Sequence, residues 1–257
     1  MPAIEYIEKA WESYKKNFWQ FTIALILQTF IVSIPFLIGV LPWIVILFST
    51  GIKAGIVSLL LSNLGVLSFS VVMFLVGISV STVLGGGFTR MAYESLRGKT
   101  SYETMFKTAK EKFWTILGVN SIVLLTISII VAVMLVPIMA LGNLSTLFQA
   151  SFLYIFVIFS IVTLGTMILA IVGILFMFVN QAIVIDNLKA LEAIKKSFET
   201  AEKNFLSVFF LFLIFFLINS GLENVLSIAG SLIVFFVTAP LALISYTALY
   251  LERRKKH

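Results

Sequence analysis

The sequence predicts an all-α integral membrane protein with six transmembrane helices in three parallel repeats, each an in-plane amphipathic helix followed by a transmembrane hairpin. Three observations predict this class. Hydrophobic residues make up 60% of the 257 residues and charged residues only 12%, whereas about a quarter of a soluble domain is charged. Uncharged stretches long enough to cross a bilayer alternate with short charged segments. One of these charged segments recurs along the chain.

The recurring segment runs from Arg90 to Phe113 and lies between two long apolar stretches. A shift of 92 positions aligns it, without a gap, to a segment that ends at Phe205, and the N-terminus carries the second half of the same unit. In each copy, four residues at spacings of four, three and four share one face of a helix. These residues are Ile7, Trp11, Tyr14 and Phe18; Tyr102, Phe106, Ala109 and Phe113; and Ile194, Phe198, Ala201 and Phe205. We therefore expect one membrane domain, residues 1–257, with repeats at residues 3–97, 98–189 and 190–257.

The individual elements follow from charge and periodicity. Amphipathic helices at residues 3–17, in the central charged stretch and at residues 188–204 are expected to lie in the headgroup region. A span needs about 20 apolar residues. The six predicted spans are residues 18–41, 64–88, 113–136, 152–179, 205–219 and 231–251, with an outer turn at residues 221–230. Pro35 and Pro42 are expected to bend or end the first span, and Pro137 to end the third.

Residues 43–63 are apolar but contain Gly51, Lys53 and Gly55. If they crossed the membrane, the next basic stretch would lie on the opposite side from the N-terminal helix, against the positive-inside tendency. We therefore expect a re-entrant segment or a pair of outer-face helices here. Lys53 is then the only basic residue, and Glu223 the only acid, on the outer side. This asymmetry predicts a multi-pass protein of the cell membrane with both termini in the cytoplasm.

Short motifs mark the ends of the predicted hairpins. KNFW, EKFW and EKNF stand at the starts of the three hairpins, and YESLR and IDNLK close the first two. In these motifs the chain resembles the membrane domain that is joined to some glycerophosphodiester phosphodiesterases, together with its stand-alone relatives. The resemblance extends over nearly the whole chain and implies a six-helix membrane module. The catalytic barrel of those enzymes is not part of this sequence.

The sequence offers no set of residues suited to catalysis or metal binding. Cysteine is absent, histidine occurs once, and no glycine-rich loop is followed by the Lys and Ser or Thr of a phosphate-binding motif. Basic residues flank apolar spans, which is the pattern of membrane topology rather than of a nucleic-acid surface. We therefore expect no catalytic residue, no metal, no cofactor and no nucleic-acid partner.

Basic residues next to the amphipathic helices are candidates for contact with anionic lipid headgroups. Near a membrane surface each basic side chain is attracted by about 1 kcal/mol. The candidates are Arg90, Arg97, Lys107, Lys110, Lys112, Arg253 and Arg254. Their role in setting topology explains the same residues equally well.

Small and polar residues within the spans are candidates for helix packing or gating. Gly77, Ser81 and Gly85 recur at intervals of four, a stripe that permits close helix contact. A second set, one residue in the first span of each repeat, consists of Gln28, Asn120 and Asn219. Their depths differ by roughly 10 Å, which favours hydrogen bonds between helices over a ring around an ion pathway. No charged residue lies in the middle of a span, which argues against ion-coupled transport.

These observations favour a non-enzymatic membrane module, a scaffold or accessory subunit that engages lipids or partner proteins through its amphipathic helices. The expected partners are membrane lipids, a second copy of the chain or another membrane protein. The alternative is a channel or transporter for small or amphipathic solutes. Its path would follow the pseudo-threefold axis or a groove beside the stripe of small residues.

Overall fold

The computed structural model describes residues 3–50, 63–148 and 152–254, with side chains for residues 3–48, 63–137 and 155–254. Nearly all residues in these ranges are helical and none lies in a strand, which confirms the predicted all-α class. The helices are α1 (Ala3–Thr50), α2 (Leu64–Ser95), α3 (Tyr102–Glu111), α4 (Phe113–Phe148), α5 (Phe152–Phe176), α6 (Val179–Ile185), α7 (Ala190–Lys203), α8 (Phe205–Ile233) and α9 (Ala239–Arg254). A π-helical segment, Val234–Thr238, joins α8 to α9.

Long apolar helices dominate the described part of the chain, where five stretches are long and apolar enough to cross a membrane. They are Ala3–Phe48, Leu64–Ser95, Phe113–Pro137, Ile155–Ile185 and Phe205–Arg254. Many of their large apolar side chains are exposed, among them Phe30, Phe159 and Leu217. Exposed apolar surface on this scale is stable in lipid but not in water. The helices are therefore compatible with a membrane protein.

The helical path breaks at three similar junctions between a charged and an apolar segment. Asn17, inside α1, has φ −118° and ψ 15°, and Lys112 and Asn204 have φ −105° and −126° with ψ 9° and 23°. Two of the breaks are bridged by an asparagine side chain, because Asn17 Nδ2 donates to the Ser13 carbonyl at 2.9 Å and Asn204 Nδ2 to the Thr200 carbonyl at 2.8 Å. Each amphipathic segment thus ends one residue before Phe18, Phe113 or Phe205.

The first hairpin pairs α1 with α2 in antiparallel fashion. The rings of Phe36 and Phe74 lie 5.5 Å apart, and a β-carbon at Gly39 would lie 3.1 Å from Met73. Trp43 Nε1 donates to Ser70 Oγ at 2.7 Å, and this hydroxyl donates to the Gly39 carbonyl at 2.6 Å.

The second hairpin pairs α4 with α5. Met134 packs against Gly165 in mid-hairpin, and Lys112 donates to Asn187 Oδ1 where the hairpin starts and ends. Met134 lies as many residues after Lys112 as Gly165 lies before Asn187, as expected for two antiparallel helices. The start and the end of this hairpin therefore lie side by side.

The third hairpin is made by a sharp reversal inside α8. Ser227 has φ 48° and ψ −121°, a conformation that strains a residue with a β-carbon. Beyond it the chain turns back so closely that a β-carbon at Gly230 would overlap the Leu222 carbonyl. Thr238 Oγ1 donates to Asn219 Oδ1 at 2.6 Å across the two limbs. The last apolar stretch is thus a folded-back pair of limbs rather than one straight rod.

The buried core lies at one end of the molecule, where the amphipathic segments meet the two ends of each hairpin. We call this end the base. Side chains that are 0–1% exposed occupy equivalent positions in the three hairpins. They are Phe21, Ile116 and Val208; Ala24, Val119 and Leu211; and, on the returning limbs, Met91, Ile183 and Leu249. Away from the base the limbs expose most of their apolar surface.

Proline does not end the helices as predicted. α1 continues through Pro35 and Pro42 to Thr50, and α4 continues through Pro137 to Phe148. A proline removes one backbone hydrogen bond, but in lipid every other backbone group still needs an internal partner, so the helix resumes. Residues 43–50 consequently belong to the first limb, which corrects the predicted separate segment; residues 51–62, with Lys53, lie outside the described residues.

The other limb boundaries also shift. α2 extends beyond Phe88 to Ser95, and α8 stays helical past Asn219 to the break at Ser227, which lies inside the predicted outer turn. The need of buried backbone groups for internal hydrogen bonds explains both extensions. Charge therefore located where the limbs begin but not where they end.

Candidate functional site

The two complete amphipathic helices place their small and apolar residues against the core. In α3, Met105, Thr108 and Ala109 are buried, while Lys107 and Lys110 are exposed. The helix starts at Ser101, whose Oγ accepts from the Glu103 amide at 3.3 Å, an N-cap of the preferred kind. Of the predicted face, Ala109 is buried, Phe106 is half-buried and Phe113 is exposed, so the packed face lies about one position from the predicted one.

Helix α7 is built in the same way. Ala193, Ser197 and Ala201 are each 0% exposed, and Glu192 Oε2 accepts from the Lys189 amide at 3.2 Å at the start of the helix. The Ser197 hydroxyl donates to the Leu175 carbonyl at 2.6 Å and accepts from the Phe178 amide at 3.1 Å. This serine holds α7 against the turn between α5 and α6.

An acid closes each hairpin and is held by residues from another part of the chain. Glu94 lies 3.0 Å from Arg90 Nε, and its Oε2 accepts from Thr104 Oγ1 at 3.0 Å. Asp186 accepts from the Tyr250 hydroxyl at 2.5 Å and pairs with Arg254 Nε at 2.9 Å. The first acid thus joins α2 to α3, and the second joins the end of α6 to α9.

The third closing acid is Glu252, beside Tyr6 of the N-terminal amphipathic segment. Tyr6 is 1% exposed. Burial, followed by the charge of Glu252, raises the pKa of the Tyr6 phenol, while Arg253 lowers it. The third acid therefore links the end of the chain to its beginning.

A cavity of about 410 Å³ lies at the base between α2, α3 and the turn after α6. We call it the Lys107 cavity. Its charged lining consists of Arg90, Glu94, Lys107, Glu111 and Lys112. Asn187, which has φ 58°, completes one wall. Three cations around one hollow favour an anion, and the two acids limit the excess positive charge.

A second, smaller cavity of about 20 Å³ occupies the corresponding place beside α7. We call it the Lys203 cavity. Lys196, Thr200, Lys203 and Asn204 line it at the positions that Thr104, Thr108, Glu111 and Lys112 hold in the Lys107 cavity. Its other wall comes from α9 through Tyr250, Arg253 and Arg254. A shallow hollow lined by Glu12, Lys15 and Lys16 lies at the corresponding place on the N-terminal segment.

The structure distributes the seven basic candidates over different surroundings. Arg90, Lys107 and Lys112 come together in the Lys107 cavity, and Arg253 and Arg254 line the Lys203 cavity. Arg97 instead lies over the Tyr93 ring, 4.3 Å from its centroid. Lys110 is exposed on α3 and is not part of the lining of either cavity.

One close contact of the predicted small-residue stripe lies at Gly77, where an added β-carbon would come within 2.8 Å of the Phe36 ring. Ser81 is half-buried, and Gly85 has open space around it. Further close contacts fall at the neighbouring glycines, where a β-carbon on Gly86 would overlap Ile116 and one on Gly87 would overlap the Met105 carbonyl. At its inner end α2 thus presents Gly86 and Gly87, rather than Gly85, to α4 and α3.

The polar residues predicted to join helices differ in their surroundings, and Asn219 bonds across two limbs. Asn120 Nδ2 donates to the Ile116 carbonyl of its own helix at 2.9 Å, Asn219 bonds to Thr238 of the facing limb, and Gln28 is half-buried. The described parts of the chain bring no set of three or more His, Cys, Asp or Glu side chains together that could hold a metal ion.

Sequence reasoning missed the roles of Asp186, Asn187 and Tyr250. The alignment of Asp186 with Glu94 was a usable signal, since an acid at the end of each hairpin needs a partner. Nothing in the sequence pairs Asp186 with Tyr250, which lies 64 residues further along the chain.

The chain matches the family described as a domain of unknown function (DUF7847) over residues 26–251. This range includes α2 to α8, the whole lining of the Lys107 cavity, and the lining of the Lys203 cavity apart from Arg253 and Arg254. No curated protein and no solved structure matches the chain. The resemblance to the membrane domain of glycerophosphodiester phosphodiesterases stays a prediction.

Proposed function

The chain belongs to the DUF7847 family of unknown function, and from its geometry we propose that it is a non-enzymatic, multi-pass membrane scaffold or accessory module that engages inner-leaflet lipids. In this proposal three hairpins cross the cell membrane six times. The base faces the cytoplasm with both termini, and the amphipathic segments lie in the headgroup region. A second copy or another membrane protein could pack on the exposed limbs.

The observation that carries the proposal is the position of the buried core. Side-chain packing is concentrated at the base, where Tyr14, Met105 and Ser197 of the three amphipathic segments are each at most 2% exposed. An assembly that only needed to cross the membrane would not require amphipathic segments to be built into its core. We infer that the core holds these segments in place so that they can contact lipid headgroups or a partner protein.

Three matching junctions support the threefold repeat. The breaks at Asn17, Lys112 and Asn204 share one backbone conformation, and each is followed by a limb that buries residues at the same spacing. Parallel repeats of this kind place all amphipathic segments in the same leaflet. The excess of basic residues near them favours the cytoplasmic leaflet.

A channel or transporter is the competing function, and one groove favours it. This groove, of about 450 Å³, runs along the third hairpin between aromatic residues such as Phe212 and Phe216 and the polar residues Asn219, Ser220 and Glu223. Against a path along the axis, the base is filled by side chains such as Phe21, Ile116 and Leu211, all 0% exposed. This packing supports the scaffold over the channel.

The proposal is tested by extracting the protein gently and identifying what stays bound by native mass spectrometry. We expect retained anionic lipid, a partner or a second copy, and no solute flux when the protein is reconstituted in liposomes. A monomer that retains neither lipid nor protein would contradict the scaffold. Solute flux that is lost on Phe216→Trp, a change that narrows the groove, would support the transporter.

A further inference from the structure

We propose that the Lys107 cavity binds a phosphate ester, which a membrane supplies as the headgroup of an anionic phospholipid. This inference rests on the proposed function and narrows it from seven basic residues to one site. The first argument is that three cations converge on one hollow. Arg90 of α2, Lys107 of α3 and Lys112, directly after α3, line it together with the Asn187 side chain. Phosphate oxygens are bound by several positively charged donors at once.

The two acids of the cavity are compatible with a phosphate. Glu94 is already engaged by Arg90 at 3.0 Å and Thr104 at 3.0 Å, so its charge is largely compensated. The ion pair also fixes the Arg90 guanidinium, which has five N–H donors and uses one of them, Nε, on Glu94. Glu111 is exposed and suits a headgroup hydroxyl beyond the phosphate.

The depth of the cavity favours a lipid as the source of the phosphate. Lys112 is followed directly by Phe113, the first residue of α4, and by Trp114, which is 80% exposed. An exposed tryptophan at the start of an apolar limb is typical of the membrane interface. The cations therefore lie within about one helical turn of the level where lipid phosphates are found.

The Lys203 cavity provides an internal comparison. It has at least as many cations, namely Lys196, Lys203, Arg253 and Arg254, but only about 20 Å³ of space. The Lys107 cavity holds about 410 Å³, within the range of about 300–1,000 Å³ of small-molecule sites. A headgroup consequently fits beside α3 and not beside α7. Charge alone does not distinguish the two places.

The test uses two lysines of the same helix. Lys107 and Lys110 are both exposed on α3, and only Lys107 lines the cavity. Native mass spectrometry after exposure to equal amounts of phosphatidylglycerol and phosphatidylcholine measures the retained lipid. We expect the wild type to retain phosphatidylglycerol selectively, Lys107→Gln to weaken its binding about fivefold, and both Lys107→Arg and Lys110→Gln to bind like the wild type.

Each other outcome counts against a different claim. Equal retention of both lipids by the wild type would contradict the proposed function together with the site. Selective retention that Lys107→Gln leaves unchanged, or that Lys110→Gln reduces equally, would overturn the site alone. Glycerol 3-phosphate is the soluble competitor, and binding as tight as that of phosphatidylglycerol would overturn the lipid as the source of the phosphate.

Discussion

The base and the apolar limbs are held by different interactions. At the base, side chains bond between segments far apart in sequence, as Tyr250 does to Asp186 at 2.5 Å. Along the limbs, Thr126 and Thr166 donate to carbonyls four residues earlier in their own helices, at 2.9 and 2.8 Å. The difference indicates that the base specifies how the hairpins are placed relative to one another, whereas contacts along the limbs, such as those of Ser70 and Gly165, join the two limbs of one hairpin.

The membrane explains this division. Lipid tails are as apolar as the limb side chains. Burying apolar surface therefore does little to favour one neighbouring helix over another. Between hairpins, close glycine contacts and side-chain hydrogen bonds supply that choice, as at Gly86, Gly87 and the closing acids. Substitutions of one chemical type should therefore have different effects at the two ends.

Glycine substitution should give the largest difference. Gly87→Ala places a β-carbon against the Met105 backbone carbonyl, and we expect a loss of about 3 kcal/mol of stability. Gly221, in a limb far from the base, has open space, so Gly221→Ala should instead leave stability unchanged or raise it by up to about 1 kcal/mol. Thermal unfolding in detergent, followed by tryptophan fluorescence, measures both. Equal effects would contradict the division.

Asparagine substitution should give the next largest difference. Asn17 donates to the Ser13 and Gly98 carbonyls and accepts from the Thr100 amide at 3.0 Å. Asn17→Ala leaves the buried Thr100 amide without this acceptor and should cost about 2 kcal/mol. Asn224→Ala, in a limb far from the base, removes only bonds within one helix and should cost at most about 0.5 kcal/mol. A reversed order in chemical denaturation would show that the limbs carry the specificity.

Tyrosine substitution tests the closing acids. Tyr250→Phe removes the hydroxyl that Asp186 accepts, and we expect a loss of about 1.5 kcal/mol. The matched control is Tyr246→Phe, one turn earlier in α9 and in the groove of the third hairpin, which should change stability by less than about 0.5 kcal/mol. Comparing the two unfolding midpoints checks the prediction. Equal unfolding midpoints would show that the hydrogen bond from Tyr250 to Asp186 does not stabilise the base.

The smallest effects are expected in the limbs. Thr126→Val and Phe159→Leu keep an apolar, helical surface toward lipid and should each change stability by less than about 0.5 kcal/mol. Unfolding of the double variant in detergent and in lipid nanodiscs measures this tolerance. A loss above about 2 kcal/mol in both media would mean that these limbs pack on a partner that the monomer lacks.

The sequence predicted the parts of the fold that depend on local pattern. The spacing of Phe106, Ala109 and Phe113 predicted that α3 is a helix, because helical periodicity can be read directly from the residues. It placed the buried side about one position away from Met105 and Thr108, which are the buried residues beside Ala109. Limb ends were predicted poorly, since Pro42 and Pro137 are breakers in water but are carried within helices in lipid. The sequence shows where these prolines are, but whether a proline ends a helix depends on the medium around it.

The candidate site was predicted only in part. Arg90, Lys107 and Lys112 were selected for their charge, and the structure brings them together. Arg97 and Lys110 were selected for the same reason and lie elsewhere. Composition cannot separate these two groups, because the difference depends on how α3 docks against α2 and on the turn at Asn187.

The central claim is that three hairpins rise from one base on the cytoplasmic side, and cysteine labelling tests it most directly. The chain has no cysteine, so Lys9→Cys, Glu103→Cys, Lys195→Cys and Glu223→Cys each introduce a single thiol. A membrane-impermeant maleimide applied to intact cells should label only Glu223→Cys, and the other three should react only after permeabilisation. Labelling of any of those three from outside would contradict the account.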